Sequence, residues 1–438
     1  MKQKKCLIYN IIIKYNKDGE VMKILEIEGG RTLSGTIRIS GAKNSCVALI
    51  PAAILSDEEV TICNVPEISD TDNLCEILNY LNVENKRASE TIVINPKNLQ
   101  NKEISEEFSK KLRASYYFMG ALLGKYKKAE MYFPGGCSIG TRPIDQHLKG
   151  FEALGATVSV EGNKYIIEAE RLKGSRIYLD IASVGATINI MLAAVKAEGK
   201  TIIENAAKEP EIVNIATFLN NMGARITGAG TSTIKITGVE KLKGCFHEVI
   251  PDRIEAGTYV IIGALCGENL KIDNIIPEHI ESLTSKMLEM GANLEIGNDY
   301  IIVSKKDKYK NTSIKTAVYP GFPTDLQQPF TVLLSKCTGK SKVTETIWEN
   351  RFMHIPYLVD MGANITIKNQ TATIVGPAEL IGKEVVATDL RAGAAMVAAA
   401  LSAKGKTMIT NVEHILRGYE NIVQKLTEVG AKIESREI

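Results

Sequence analysis

The sequence predicts an α/β protein of two domains, each made of three copies of a unit of about 70 residues. Three observations carry that expectation. First, a helix ending in an apolar-x-x-apolar-Gly-Ala pattern recurs at Gly155-Ala156, Gly223-Ala224, Gly291-Ala292, Gly362-Ala363 and Gly430-Ala431, with a degenerate copy at Asn82-Val83. Counted from position 82, the spacings are 73, 68, 68, 71 and 68. Second, each copy opens on an apolar helix rich in small residues and continues into a strand. Third, the last copy stops without its closing strand pair, and the start of the chain supplies one.

The opening helices are expected at 44–55, 114–123, 185–197, 256–266, 325–334 and 392–403. Apolar residues on every side of such a helix mean burial on every side. The strands that follow are expected at 60–64, 129–133, 201–205, 270–274, 341–345 and 407–411, each running into a loop before a second helix. That helix ends at the Gly-Ala pattern, where glycine takes the left-handed cap conformation. Alternating strands around an x-x-Leu-x-Gly turn come next, as at Lys241-Leu242-Lys243-Gly244.

The segment 24–39 carries the same turn at Arg31-Thr32-Leu33-Ser34-Gly35, so the N-terminal strands are expected to complete the sixth unit. One domain is then 22–42 together with 251–438, and the other is 43–250. The backbone crosses between them twice, near Gly41 and near Pro251-Asp252, as in a cleft that opens and closes. Residues 1–21 are read as an extension outside the fold, with Met22 as an alternative start.

Composition narrows the partners. Lys plus Arg number 53 and Asp plus Glu 51, scattered rather than striped, so no nucleic-acid or polybasic membrane surface is expected. The eight cysteines form no C-x-x-C pairs, which favours reduced thiols and a cytoplasmic protein over a disulfide or zinc framework. No apolar run approaches the roughly 18 residues that span a bilayer. The histidines do not cluster, so no metal site is expected.

In a repeat, chemistry shows as departures at equivalent places. Polar residues interrupt the helix starts at Lys43-Asn44, Arg113, Asp252-Arg253, Thr324-Asp325, and Asp389 with Arg391. The loops before the second helices add Cys137 and Arg142, Glu209 and Glu211, Glu349 and Arg351, and Arg417. Free N–H groups at helix starts favour phosphate and carboxylate, and arginine grips both bidentately. The set therefore suits a ligand with several negative charges. Cys137 follows two glycines and precedes Arg142, the composition of an active-site loop, although a lone cysteine also serves as a small buried hydrophobe.

Eight motifs in order then carry a resemblance: Gly41-Ala42-Lys43-Asn44, the Cys137 loop through Arg142-Pro143-Ile144-Asp145, Glu209-Pro210-Glu211, Pro251-Asp252-Arg253, Phe322-Pro323-Thr324-Asp325, Glu349-Asn350-Arg351, Thr388-Asp389-Leu390-Arg391 and Arg417-Gly418-Tyr419-Glu420. Together they resemble the UDP-N-acetylglucosamine 1-carboxyvinyltransferases of the EPSP synthase superfamily. The resemblance implies two inside-out α/β barrels with helices within, and no cofactor or metal. It implies transfer of the enolpyruvyl group of phosphoenolpyruvate to the 3′-hydroxyl of UDP-N-acetylglucosamine, opening peptidoglycan synthesis.

By resemblance Cys137 is the general acid and Asp325 the candidate base. Lys43, Asn44, Arg142, Arg351, Arg391 and Arg417 would meet phosphoenolpyruvate, Lys43 and Arg417 also serving catalysis. Asn44, Arg113, Arg142, Pro143, Ile144, Asp145, Gln146, Ser183, Val184, Gly185, Asp325 and Ile347 would meet the nucleotide sugar. Arg113 and Arg391 also fit structural caps or interdomain ion pairs, and Glu209 and Glu211 fit loop ordering. Two rival readings are 5-enolpyruvylshikimate-3-phosphate synthase, disfavoured by the Cys137 loop and Glu209-Pro210-Glu211, and a silent nucleotide-sugar-binding paralogue, disfavoured by intact Lys43, Cys137, Asp325 and Arg417.

Overall fold

The structure is a computed structural model that describes residues 23–135, 140 and 143–437. The extension 1–21, Cys137 and Arg142 lie outside the described residues. Buried apolar side chains fall into two separate clusters. One joins Leu25–Ile39 to positions between Ile254 and Ile433, and the other runs from Ala42 to Val249.

Six helices lie inside: Lys43–Ala53, Tyr117–Tyr126, Val184–Ala194, Arg253–Cys266, Thr324–Ser335 and Leu390–Ser402. Nearly every residue of each is buried, because their alanines, glycines and aliphatics leave no polar face to turn outward. The sheets lie outside them and alternate, as in Thr371–Gly376, whose second and fourth residues face inward while the rest stay partly or fully exposed. This is the inside-out α/β fold. The second helix starts later than its expected 114–123, because Arg113–Tyr116 forms a single tighter turn first.

The sheets explain how each half closes. The last strand of one unit runs parallel to the first strand of the next: Arg176–Tyr178 beside Lys200–Glu204, and Phe246–Glu248 beside Val60–Cys63. In the other half Ser313–Lys315 joins Cys337–Thr344, Glu384–Val386 joins Lys406–Thr410, and Leu33–Arg38 joins Gly267–Asp273. The N-terminal strands therefore divide. Lys23–Glu28 sits between Lys406–Thr410 and Lys432–Glu437 and completes the sixth unit, whereas Leu33–Arg38 passes on to the fourth. Alternation in 24–39 identifies two strands but says nothing about which sheet edge accepts the second.

Four units end their first strand in an asparagine with left-handed φ: Asn64, Asn205, Asn274 and Asn411. Asparagine tolerates that conformation, and its amide reaches back to the parallel neighbour. Asn64 donates to the Val249 carbonyl at 2.8 Å, Asn205 to Leu179 at 2.8 Å and Asn274 to Ile39 at 2.7 Å. The second and fifth units depart, with Phe133 and Glu345 in the equivalent places.

The two crossings lie side by side. Gly41 and Pro251 form an antiparallel bridge, the Ala42 N–H donates to the Ile250 carbonyl at 2.7 Å, and Asp252 N–H donates to Ser40 at 2.9 Å. Glycine is required at 41, since a Cβ there would overlap the Asn64 carbonyl. Among the described residues no helix is long and apolar enough to cross a membrane.

Leu25 is fully buried at the centre of the strand that completes the sixth unit. Replacing it by Ala is expected to cost roughly 2–5 kcal/mol. Urea unfolding checks this, and a wild-type midpoint would contradict the pairing.

Candidate active site

Lys43 is the first residue of the Lys43–Ala53 helix and Arg417 closes the short Glu413–Leu416 helix of the other half. Asp70, in the first turn of Ser69–Tyr80, lies between them. Its Oδ2 is 2.8 Å from Lys43 Nζ and its Oδ1 accepts from Arg417 Nε at 2.8 Å. Burial alone would raise the Asp70 pKa, but Lys43 and Arg417 outweigh it and hold the carboxyl below the usual range. The Lys43 ammonium is pulled below its ordinary value by burial, aided by Arg391 and Arg417 and opposed by Asp70. Gly418 leaves room for this packing, since a Cβ there would stand 2.8 Å from Leu390 and 3.3 Å from the Lys43 side chain.

A second carboxylate gathers two more cations. Asp325, in the first turn of Thr324–Ser335, takes Arg351 Nη2 at 2.7 Å on Oδ1 and Arg391 Nε at 3.1 Å on Oδ2. Asp389 caps the Leu390–Ser402 helix through the N–H groups of Arg391 and Ala392, and its Oδ1 stands 3.5 Å from Arg351 Nη1. Arg391 also lies over the Tyr419 ring at 5.5 Å. Its burial would favour the neutral form, yet Tyr419, Asp325 and Asp252 hold the guanidinium above its ordinary pKa. Arg351 Nε and Arg391 Nη1 are buried with no hydrogen-bond partner among the described residues. Buried donors of that kind are costly unless something anionic meets them.

The remaining predicted residues line up along the 43–250 half. Arg113 Nη1 donates to the Gly135 carbonyl at 2.9 Å. Gln146 exchanges bonds with Asp180, accepting its N–H at 2.9 Å and donating to Oδ2 at 3.0 Å, and also donates to Asp145 at 2.8 Å. Ser183 caps Val184–Ala194 through the Ala186 N–H at 3.3 Å. Ile144 is buried, Pro143 is exposed, and Asn44 is half-buried beside Lys43. Gly185 must be glycine, because a Cβ would come within 2.9 Å of the His147 ring and the Tyr116 hydroxyl. Across the joint, Glu345 fixes the Ile347 loop by accepting the N–H of Ile347 at 2.7 Å and hydroxyls of Thr316 and Thr324. Gly140 belongs to the Cys137 loop and approaches the same loop, since a Cβ on it would overlap the Glu349 carboxylate and lie 3.4 Å from Trp348.

The structure thus gathers Lys43 and Arg417 on one carboxylate and Arg351 and Arg391 on another. Asp70 was not foreseen: a Ser-Asp pair opening a helix reads as an ordinary cap. Glu211 pairs with Arg253 Nε at 3.1 Å, and Arg253 lies over Tyr319 at 5.6 Å. Among the described residues no group of three or more His, Cys, Asp or Glu side chains could hold a metal ion.

Cations collected from both halves of a paired inside-out barrel define an enolpyruvyl-transferase type of protein. The chain belongs to the EPSP synthase (3-phosphoshikimate 1-carboxyvinyltransferase) family, whose profile it matches over residues 27–426. Within it, the chain is 56% identical over 412 residues to UDP-N-acetylglucosamine 1-carboxyvinyltransferase 2 of Geobacillus kaustophilus, covering 94% of this chain and 96% of that protein. It is 54% identical over 409 residues to the protein of the same name from Listeria monocytogenes, covering 93% and 97%. Among solved structures, the enolpyruvyl transferase NikO from Streptomyces tendae superposes with a TM-score of 0.87 at 26% identity, over 96% of this chain and all 100% of that one. EPSP synthase from Acinetobacter baumannii, at 16% identity and a TM-score of 0.74 over 94% and 100%, shares the fold.

Two buried histidines give a pH prediction. Burial drives His147 down to about 3, with Arg113 adding and Asp145 opposing; burial also takes His354 to about 3. Both folded values lie below the unfolded value near 6.5, so protons favour the unfolded chain. Their stabilisation is complete above pH ~6.5 and falls with pH below it, by on the order of 1–2 kcal/mol each at pH ~5. Urea unfolding at the two ends of that range checks this, and a flat profile contradicts it.

Proposed function

We infer that this chain transfers the enolpyruvyl group of phosphoenolpyruvate to the 3′-hydroxyl of UDP-N-acetylglucosamine, releasing phosphate, as the first committed step of peptidoglycan synthesis. The observation that carries the reading is the convergence of Lys43, Arg351, Arg391 and Arg417 on two carboxylates where the halves meet. A donor bearing both phosphate and carboxylate needs such a set.

In the addition step the acceptor hydroxyl oxygen bonds to C2 of phosphoenolpyruvate while a proton reaches C3 and the hydroxyl proton leaves. The tetrahedral product then loses a C3 proton as the C2–O bond to phosphate breaks, restoring the double bond. We assign proton delivery to Cys137 and removal of the hydroxyl proton to Asp325. Both Asp325 oxygens are engaged by guanidiniums, so accepting a proton requires one of these contacts to loosen. Lys43, Arg142 and Arg417 hold the phosphate, and Arg351 and Arg391 the carboxylate, with Asn44 beside them. Arg113, Pro143, Ile144, Asp145, Gln146, Ser183, Val184, Gly185 and Ile347 border the nucleotide sugar. Residues 43–250 on one side, and 22–42 with 251–438 on the other, act as domains that move about the paired crossings. We place the reaction in the cytoplasm, which the absence of C-x-x-C pairs among the eight cysteines favours.

Two measurements test this. Phosphate release is expected with phosphoenolpyruvate and UDP-N-acetylglucosamine; release dependent on shikimate 3-phosphate instead would overturn the choice of acceptor. Cys137→Ser is expected to lose turnover by about 100-fold or more, as a removed general acid does. Cys137→Asp keeps an acid and should retain part of the activity while escaping alkylation by fosfomycin, and undiminished labelling would refute the assignment.

A further inference from the structure

The joint between the halves holds a carboxylate that the reaction scheme leaves unused. Glu420 is only 7% exposed. Its Oε1 accepts the Glu67 N–H at 2.5 Å, and its Oε2 accepts the Ser40 hydroxyl. Ser40 Oγ in turn accepts from Lys425 Nζ at 2.7 Å, Lys425 pairs with Glu255 Oε1 at 2.7 Å, and Glu255 Oε2 accepts the Ser40 N–H at 2.9 Å. These contacts centre on Ser40, the residue before Gly41, which pairs with Pro251.

Glu420 follows Arg417 by three residues, and both reach the same short piece of the other half. Arg417 holds Asp70, while Glu420 holds the amide of Glu67, just ahead of the Ser69–Tyr80 helix that carries Asp70. Between them Tyr419 is 1% exposed, donates or accepts at Thr258 at 2.9 Å, and lies under Arg391. One four-residue stretch therefore touches two of the cations and the opposite half at once. A carboxylate suits this place because both partners are donors. A groove of about 760 Å³ lined by Glu67, Ile68, Ser69, Leu416 and Tyr419 runs along the seam.

We propose that Glu420 is a positioning residue: by tying the Arg417 stretch to the Glu67 amide, it sets the separation of Arg417 from Lys43 and so the grip on the phosphate of the donor. This rests on the functional reading above. Glu420 itself touches neither substrate; it acts through Arg417.

The test uses the full chain with Glu420→Ala and Glu420→Gln. Glutamine can still accept the Glu67 N–H and donate to Ser40. Hydrogen–deuterium exchange of the peptide spanning 65–71 reads the contact without any substrate. In Glu420→Ala that peptide is expected to exchange at least about tenfold faster, and unchanged exchange would overturn the contact. In steady-state assays the KM for phosphoenolpyruvate is expected to rise about tenfold with kcat falling less than about threefold, and Glu420→Gln to return within about threefold of wild type. Faster exchange with an unchanged KM would overturn the positioning role, as would an equal fall in kcat with no KM change, the mark of a merely unfolded fraction. A wild-type enzyme inert towards both substrates would sink the functional reading, while the exchange result still decides the contact.

Discussion

Four cations brought close together in a partly desolvated place repel one another, and the architecture is arranged around containing that repulsion. At an effective dielectric near 20, two unit charges about 4 Å apart interact by roughly 4 kcal/mol. Asp70 offsets this for Lys43 and Arg417, and Asp325 with Asp389 for Arg351 and Arg391. A buried charge without a partner is far more costly than a buried pair. Each carboxylate therefore keeps its cations charged, while one donor each of Arg351 and Arg391 stays buried with no hydrogen-bond partner among the described residues.

The fold supplies the geometry for this by exchanging strands. Five of the six units lend their last strand to the next, and the first reaches the second through the single parallel bridge of Ile104 and Met131, so three units close on themselves and the start of the chain closes the half that contains its end. That topology forces two backbone crossings, which pair at Gly41 and Pro251 within a few residues of Lys43 and Arg253. The helices starting at Lys43 and Arg253 begin two residues beyond these crossings, and Asp325 in the first turn of a third helix pairs with Arg391 in the first turn of a fourth. The proposed chemistry follows from where these ends meet rather than from any single unit. The asparagine turn that closes four units is replaced at Phe133 and Glu345, the two places that lead into the Cys137 loop and the Ile347 loop.

Much of this was legible in the residues. The Gly-Ala helix ends gave the period, because a left-handed cap favours glycine at the same point in every copy. The polar residues Lys43, Asp325 and Arg391 stood out at the starts of helices that are otherwise apolar all round, and Arg351 and Arg417 stood out as cations in the loops before the second helices; the structure joins Lys43 and Arg417 through one carboxylate and Arg351 and Arg391 through another. Asp70 and Glu420 did not stand out, since an acidic residue near a helix start or in a loop is ordinary until its partners from another part of the chain are known. The split of the N-terminal strands was hidden for a similar reason: alternation marks a strand's faces, not its neighbours. The later start of the Tyr117–Tyr126 helix reflects the polar Arg113, which opens a tighter turn in place of the first helical one.

The central claim is that Lys43 from one half and Arg417 from the other grip a single donor anion. A double-mutant cycle on phosphoenolpyruvate affinity, with Lys43→Ala, Arg417→Ala and the pair together in the presence of UDP-N-acetylglucosamine, tests it most directly. Shared contact with one phosphate predicts a coupling energy on the order of 1 kcal/mol or more, with the double variant losing less than the sum of the singles. Losses that add to within about 0.3 kcal/mol would mean that the two side chains act at separate places and would contradict the account.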